Sequence, residues 1–334
     1  MQQKFLLRRL VASVVVVGLL GIVAWLVLSG GAKGSTTAIH GNKRGASTTT
    51  RPPAGAAPAT RSTQARPTVQ PPLRGMAVTM AEIPLIDTSR KLVNGGVVLA
   101  SQRNLPTYVW TPTAPGAYPL VVFVHGYNIG PLQYQRFCST LASSGYVVAA
   151  PSFPLEDPSR GNGLSRADLP NEAIDVAFVI TSLEANASAN KIQLSRIAVI
   201  GHSDGADVAL LVGYERGTVD SRVLAIVSDA PDPITSTTVP SSVPLLLIQG
   251  TADSIVPYSS SQTVYNQLSV PTYYVSLLGA DHLPPIAGGT AWTPVLDASI
   301  AEFLDVNIAD RGPGSASLAG TLAASPLIRL ETKG

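Results

Sequence analysis

The sequence is poor in cysteine, in charge and in histidine, and each shortage excludes something. Its 334 residues include one cysteine, Cys138. A single thiol rules out an internal disulfide framework and any cysteine-rich zinc site. Charged residues make up 13% of the chain, with a formal net charge of +2. Only four histidines are present, so candidates for a general base can be sorted by elimination. The 45% hydrophobic content is ample for a packed core and excludes wholesale disorder. At roughly 100–200 residues per domain, the length allows one large domain or two small ones.

What is present is unevenly distributed. Residues 1–75 contain ten Lys/Arg and no Asp or Glu, whereas 76–334 contain thirteen Lys/Arg against 21 Asp/Glu. The near-neutral sum therefore hides a basic leader and an acidic remainder. In the leader, Lys4, Arg8 and Arg9 precede an uncharged apolar run from Leu10 to Leu28. At 1.5 Å per residue this run nearly matches a hydrocarbon core of about 30 Å. It exceeds the ~7–15 residues of a signal-peptide core, which favours a signal-anchor over 1–29. Small residues at 29–32 keep a cleaved signal peptide as the alternative. The positive charges stay in the cytoplasm, so everything after Leu28 is expected outside. The predicted location is the cell membrane, as a single-pass protein with its folded domain outside the cytoplasm, or the exterior after cleavage. Residues 30–75 are rich in Gly, Ala, Ser, Thr and Pro and read as a disordered basic linker. Its dispersed cations lack interleaved aromatics, so no nucleic-acid partner is expected.

From Met76 onward, short apolar runs alternate with amphipathic stretches. LVVFV (120–124), YVVAA (146–150), IAVI (197–200), VLAIV (223–227), PLLLI (244–248) and YYVSL (273–277) suit strands buried on both faces of a mostly parallel sheet. Val97–Ala100 and Tyr108–Trp110 read as earlier, antiparallel strands. Helical candidates cover 132–144, 170–185, 205–216, 258–268 and 293–307. The alternation predicts a doubly wound α/β sheet over 76–310. The segment 311–334 reads as a loose surface tail, and 153–170 as a short loop on the rim of a pocket, leaving the serine of the next motif open.

The chemistry falls at strand ends. Gly201-His202-Ser203-Asp204-Gly205 is G-x-S-x-G between a strand and a helix, the context that lets a serine project from a sharp turn. A serine hydroxyl needs a positioned base. His40 lies in the linker, and His125 and His202 sit inside other motifs. His282, directly after the run 273–277, remains. Asp253, at the tip of the run before it, gives the order Ser…Asp…His and is favoured as the acid. Asp229 and Asp232 are the rivals, and Asp281 reads as a turn residue. Two backbone N–H groups should receive an oxyanion: that of Asp204, after the nucleophile, and that of Tyr127, in His125-Gly126-Tyr127-Asn128.

Together, His125-Gly126, the 201–205 motif, QGTADSIVP and GADH resemble the α/β-hydrolase superfamily. The likeness is to the carboxylesterase and lipase branch that includes chlorophyllases, platelet-activating-factor acetylhydrolases and dienelactone hydrolases. The resemblance covers about residues 80–308. It implies a central sheet of about eight strands with helices on both faces and no large lid domain. It also implies a serine hydrolase acting on carboxylic esters through an acyl-enzyme. The same triad suits acyl transfer or peptide cleavage, and a non-catalytic envelope-binding domain is the reading from a different class. Asp204 departs from the neutral or basic residue common after the nucleophile, and its carboxylate is expected to point away from the pocket. No metal or cofactor motif is present. The expected partners are a small-molecule or lipid ester and, through the N-terminal helix, a membrane.

Overall fold

The apolar runs form the strands they predict. The computed structural model describes residues 75–311, 319–320 and 322–334; the Leu10–Leu28 run and the basic linker up to residue 74 lie outside the described residues. Six parallel strands form the centre: β5 (Tyr118–Val124), β6 (Val147–Pro151), β7 (Ile192–His202), β8 (Val223–Asp229), β9 (Leu245–Gly250) and β10 (Thr272–Leu277). Every residue of β5, β6 and β9 is buried, as strands covered on both faces require. Side chains alternate between the faces. Leu120, Val122 and Val124 pack into one core, while Val121 and Phe123 pack into the other.

Helices fill both layers. On the first face lie α2 (Leu169–Glu184), α3 (Asp204–Tyr214) and α4 (Tyr258–Gln267), contributing Val176, Val179, Ile180, Val208, Val212 and Val264. On the second lie α1 (Gln135–Ser143) and α6 (Thr293–Asn307), contributing Phe137, Leu141, Leu296, Ile300 and Phe303. A short α5 (Pro284–Ala287) precedes α6. Cys138 is fully buried in the second core as a free thiol.

The sheet has nine strands in the order β1-β4-β6-β5-β7-β8-β9-β10-β11. β1 (Val78–Asp87) and β4 (Arg103–Pro112) form an antiparallel edge. β2 (Leu92–Asn94) and β3 (Val97–Ala100) make a separate two-stranded ribbon. The loose tail expected after Asp310 is corrected at its end: Ile328–Lys333 is β11, paired antiparallel with β10. Its sequence IRLETK alternates like an edge strand, but it is short and polar and follows a stretch with little apolar signal. The chain winds outward in both directions from β5, whose neighbours are β6 and β7. Loops at the carboxyl ends of the parallel strands therefore meet at a switch point, where such sheets place ligands. Among the described residues, no helix is long and apolar enough to cross a membrane.

Candidate active site

Ser203 lies between β7 and α3 with φ 59° and ψ −125°, a conformation that costs a non-glycine residue on the order of 1–3 kcal/mol. Surrounding contacts enforce it. The Ser203 N–H donates to the Asp229 carbonyl at 2.9 Å, and the Ser203 carbonyl accepts from Ala206 N–H at 2.8 Å. Neither flanking glycine tolerates a side chain. A Cβ at Gly201 would overlap the Gly205 carbonyl, and one at Gly205 would strike the backbone of Val124 and His125. The motif is thus a tight crossing of β7, α3 and the end of β5. Ser203 itself remains partly exposed.

His282 and Asp253 meet next to the same turn, the His282 ring 4.6 Å from that of His202. His282 Nδ1 lies 2.7 Å from Asp253 Oδ2, with the carboxylate fully buried and the imidazole 7% exposed. Asp253 is well supplied with donors. Gln249 Nε2 reaches Oδ2 at 2.7 Å, while Ile255 and Val256 N–H reach Oδ1 at 2.8 and 2.7 Å. Such a carboxylate has little freedom to turn, and it orients the ring. Asp281 accepts from Ser254 N–H, from the Ser254 hydroxyl and from His282 N–H, which makes it a turn residue. The Asp232 carboxylate receives Arg166 Nη2 at 3.1 Å. Asp229 is buried at the end of β8, where burial and the nearby Asp253 charge push its carboxyl well above the usual range.

The other two histidines of the domain hold loops. Phe153 N–H donates to His125 Nε2 at 3.1 Å, so the proton resides on Nδ1, 3.0 Å from the Gly126 carbonyl. This fixes the loop carrying Tyr127. That loop also lies against Ser203, since a Cβ at Gly126 would come within 3.0 Å of Ser203 Cβ. His202 links elements that are distant in sequence. Its Nε2 lies 3.2 Å from the His282 carbonyl, which can only accept, so Nε2 carries the proton. Its Nδ1 therefore accepts from the Tyr134 hydroxyl at 3.0 Å. Burial, followed by the neighbouring His282, holds the His202 imidazole well below the ordinary histidine range, so it is neutral. Tyr134 gave no sequence signal of this role.

The segment 153–170 is less exposed than a rim loop should be. Phe153, Leu155 and Glu156 are completely buried, and Asn128 N–H donates to the Glu156 carbonyl at 3.0 Å. Arg166 binds three carboxylates: Asp204 through Nε at 2.5 Å, and Asp207 and Asp232 through Nη2 at 3.0 and 3.1 Å. The Asp204 charge, which would oppose an oxyanion, is thus paired. Behind it, Arg103 forks onto Asp168 and Asp175, with all three side chains almost fully buried. Glu156 and Glu172 are buried with no partner for either carboxyl oxygen. Burial, then the neighbouring charges, pushes Glu156 up to about 9 and Glu172 well above its ordinary value. None of Arg103, Arg166, Glu156 or Glu172 belongs to a motif, and only their placement in space singles them out. Among the described residues, no group of three or more His, Cys, Asp or Glu side chains is arranged to hold a metal ion.

The comparisons agree with this architecture. A family model described as Chlorophyllase matches residues 88–255, half of the chain. That interval contains Ser203 and Asp253 and ends before His282. Chlorophyllase-1, chloroplastic, of Citrus sinensis is 29% identical over 116 residues, covering 34% of this chain and 33% of the relative. Chlorophyllase type 0 of Chenopodium album is 26% identical over 132 residues, 38% of each chain. Cutinase est1 of Thermobifida alba is 28% identical over 182 residues, 53% of this chain and 57% of the relative. The matched segments thus span about a third to somewhat over half the length of these curated relatives. With half its length matched and its sheet wound in the α/β-hydrolase manner, this chain belongs to the chlorophyllase family.

Proposed function

We propose that the protein is a serine hydrolase that cleaves carboxylic esters. The observation that carries this reading is the buried Asp253–His282 pair at 2.7 Å beside the strained Ser203 turn. With Nδ1 engaged by Asp253, His282 has Nε2 left to take the Ser203 proton as the hydroxyl attacks an ester carbonyl. The loop of Tyr127 and the first turn of α3 at Asp204 then supply backbone N–H groups to the tetrahedral oxyanion. His282 returns the proton to the departing alcohol, and water releases the acid by the reverse steps. The names of the relatives, chlorophyllases and cutinases, support an ester as substrate.

Replacing Ser203 with Ala should lower turnover of p-nitrophenyl butyrate by at least about 10³-fold while the fold is kept. The same change should abolish labelling by a fluorophosphonate probe. Retained turnover, or labelling of another residue, would overturn the assignment. Acyl transfer predicts instead that an added alcohol diverts most of the product to a new ester.

The Leu10–Leu28 run and the cations before it support export, with the catalytic domain outside the cytoplasm and a bilayer nearby. Protease added to intact cells should then remove the domain, and its protection would contradict that placement.

A further inference from the structure

A second feature shares the sheet edge that carries Ser203. β4 runs antiparallel to β6, and β1 antiparallel to β4. β1 therefore ends, and β4 begins, where the parallel strands end. The connection between them, residues 88–102, rises from this edge and contains the β2–β3 ribbon. Val93, Val97, Val98 and Leu99 of the ribbon are 40%, 62%, 55% and 44% exposed. Because side chains alternate, Val97 and Leu99 lie on one face, and Val98, opposite Val93, on the other. Both faces are thus open. A two-stranded ribbon gains little stability of its own, and leaving four large apolar side chains in water within seven positions needs a reason.

The ribbon touches the catalytic surroundings. Asn94 Nδ2 donates to the Asn162 carbonyl at 3.3 Å, in the segment that holds Asp204 through Arg166 and Asn128 through Glu156. Ile86, at the same end of β1, is 46% exposed, and Lys91 is exposed at the base of the ribbon.

We infer that this ribbon docks the domain on a lipid–water interface. Its valines and leucine enter the boundary between headgroups and acyl chains, Lys91 meets anionic headgroups, and the Ser203 edge faces esters dissolved in the lipid. The last clause rests on the esterase reading; the docking does not. The chain itself argues for lipid as the occupant, since the nineteen-residue apolar run ending at Leu28 suits a bilayer. β1 begins at the opposite sheet edge, and its ten residues span about 33 Å. The 46 residues between Leu28 and Gly75 reach at most ~165 Å, several times the length of β1. An interfacial ribbon of this kind binds in proportion to the apolar area it buries, reinforced by attraction to anionic lipid.

Because Cys138 is fully buried, a cysteine introduced at an exposed site can be labelled selectively. The full chain, reconstituted in phosphatidylcholine–phosphatidylglycerol vesicles, would carry an NBD probe at Val98→Cys or, as a control on the opposite edge, at Val219→Cys. Spin-labelled lipid should quench the probe at 98 at least fivefold more than the probe at 219. Equal quenching overturns the proposal. A probe at 98 that is unquenched but responds to protein concentration also overturns it, in favour of a second copy of the chain. The pair Val97→Asp and Leu99→Asp should lower hydrolysis of a vesicle-dispersed long-chain ester at least tenfold, with soluble p-nitrophenyl butyrate changed less than twofold. A loss shared by both substrates counts against an interfacial role. Failure of Ser203 to react with a fluorophosphonate would strike the esterase reading alone and leave the quenching result standing.

Discussion

On one side of Ser203, Asp253 and His282 are held by short hydrogen bonds in which a single carboxylate meets four donors. On the other side, the segment 153–170, α2 and the first turn of α3 gather Glu156, Asp168, Glu172, Asp175, Asp204 and Asp207, mostly buried, around Arg103 and Arg166. The first arrangement surrounds one buried carboxylate with donors and fixes one ring. The second is an overcrowded acidic interior, in which burial and the neighbouring charges push Glu156 and Glu172 toward their protonated forms. The difference teaches that two groups of acids flanking one strand can be held in unlike ways. One is satisfied by hydrogen-bond donors and fixes a ring, and the other is tied by guanidinium groups and holds a loop.

The sharpest way to break this comparison is to exchange the acids. Asp253→Asn should lower kcat for a soluble ester by about 10³–10⁴-fold, because an amide can stabilise the wrong imidazole tautomer. Asp232→Asn, which removes only one of the three Arg166 partners, should change kcat less than about threefold. The reverse pattern would make Asp232 the acid that serves His282. The next largest effect belongs to the acidic side. Arg103→Met leaves Asp168 buried without its cation and Asp175 with Arg90 alone, and should cost about 3–5 kcal/mol in urea unfolding. Arg103→Lys should recover only part of this, since one ammonium cannot reproduce the double fork. A cost under 1 kcal/mol would mean that water reaches the cluster.

The two sides also differ in how far the sequence announces them. G-x-S-x-G, a histidine after one strand and an aspartate after the strand before it are local patterns, and the sheet brings them together because all sit at carboxyl ends of parallel strands. The strands themselves were legible because double burial makes them continuously apolar. The acidic side follows no period. Arg103 begins β4, the second strand from the sheet edge, Asp175 lies in mid-helix and Arg166 in a short 3₁₀ turn, and only tertiary packing unites them. β11 escaped for a similar reason, since a polar edge strand gains its identity from its neighbour β10. The Val93–Leu99 ribbon was half legible: Val97–Ala100 read as a strand, but nothing local tells a solvent-exposed apolar strand from a core one.

A smaller effect tests whether the ordered side depends on its strut. Tyr134→Phe removes the donor to His202 Nδ1 and leaves that buried nitrogen without its partner, while the His282 carbonyl still holds the proton on Nε2. Loss of such a bond is worth about 1–1.5 kcal/mol, so kcat should fall by up to about tenfold with KM nearly unchanged. ¹⁵N spectra should show the His202 Nδ1 resonance shifted in the variant, with the proton kept on Nε2. An unchanged spectrum and unchanged kcat would mean that His202 does not position His282.

The smallest effect concerns the surplus acid. Burial pushes the Glu156 carboxyl from 4.5 up to about 9, so the folded chain keeps a proton that the unfolded chain releases near 4.5. As pH rises between these values, deprotonation favours the unfolded state. The stability present below pH 4.5 is lost progressively until about pH 9. Glu172, raised in the same direction, adds to the slope. Glu156→Gln removes one of the two titrations and keeps the shape of the side chain. Its melting temperature relative to the native protein should therefore rise with pH between 5.5 and 8.5. A gain of 1 kcal/mol corresponds to about 2–4 °C for a domain of this size. The same measurement on Asp281→Asn, whose carboxylate is held below its ordinary value by Ser254 and His282 donors despite partial burial, should show no such rise. A pH-independent difference for Glu156→Gln would mean that the carboxyl is ionised in the folded protein and that the acidic side is balanced by charge, as the ordered side is balanced by hydrogen bonds.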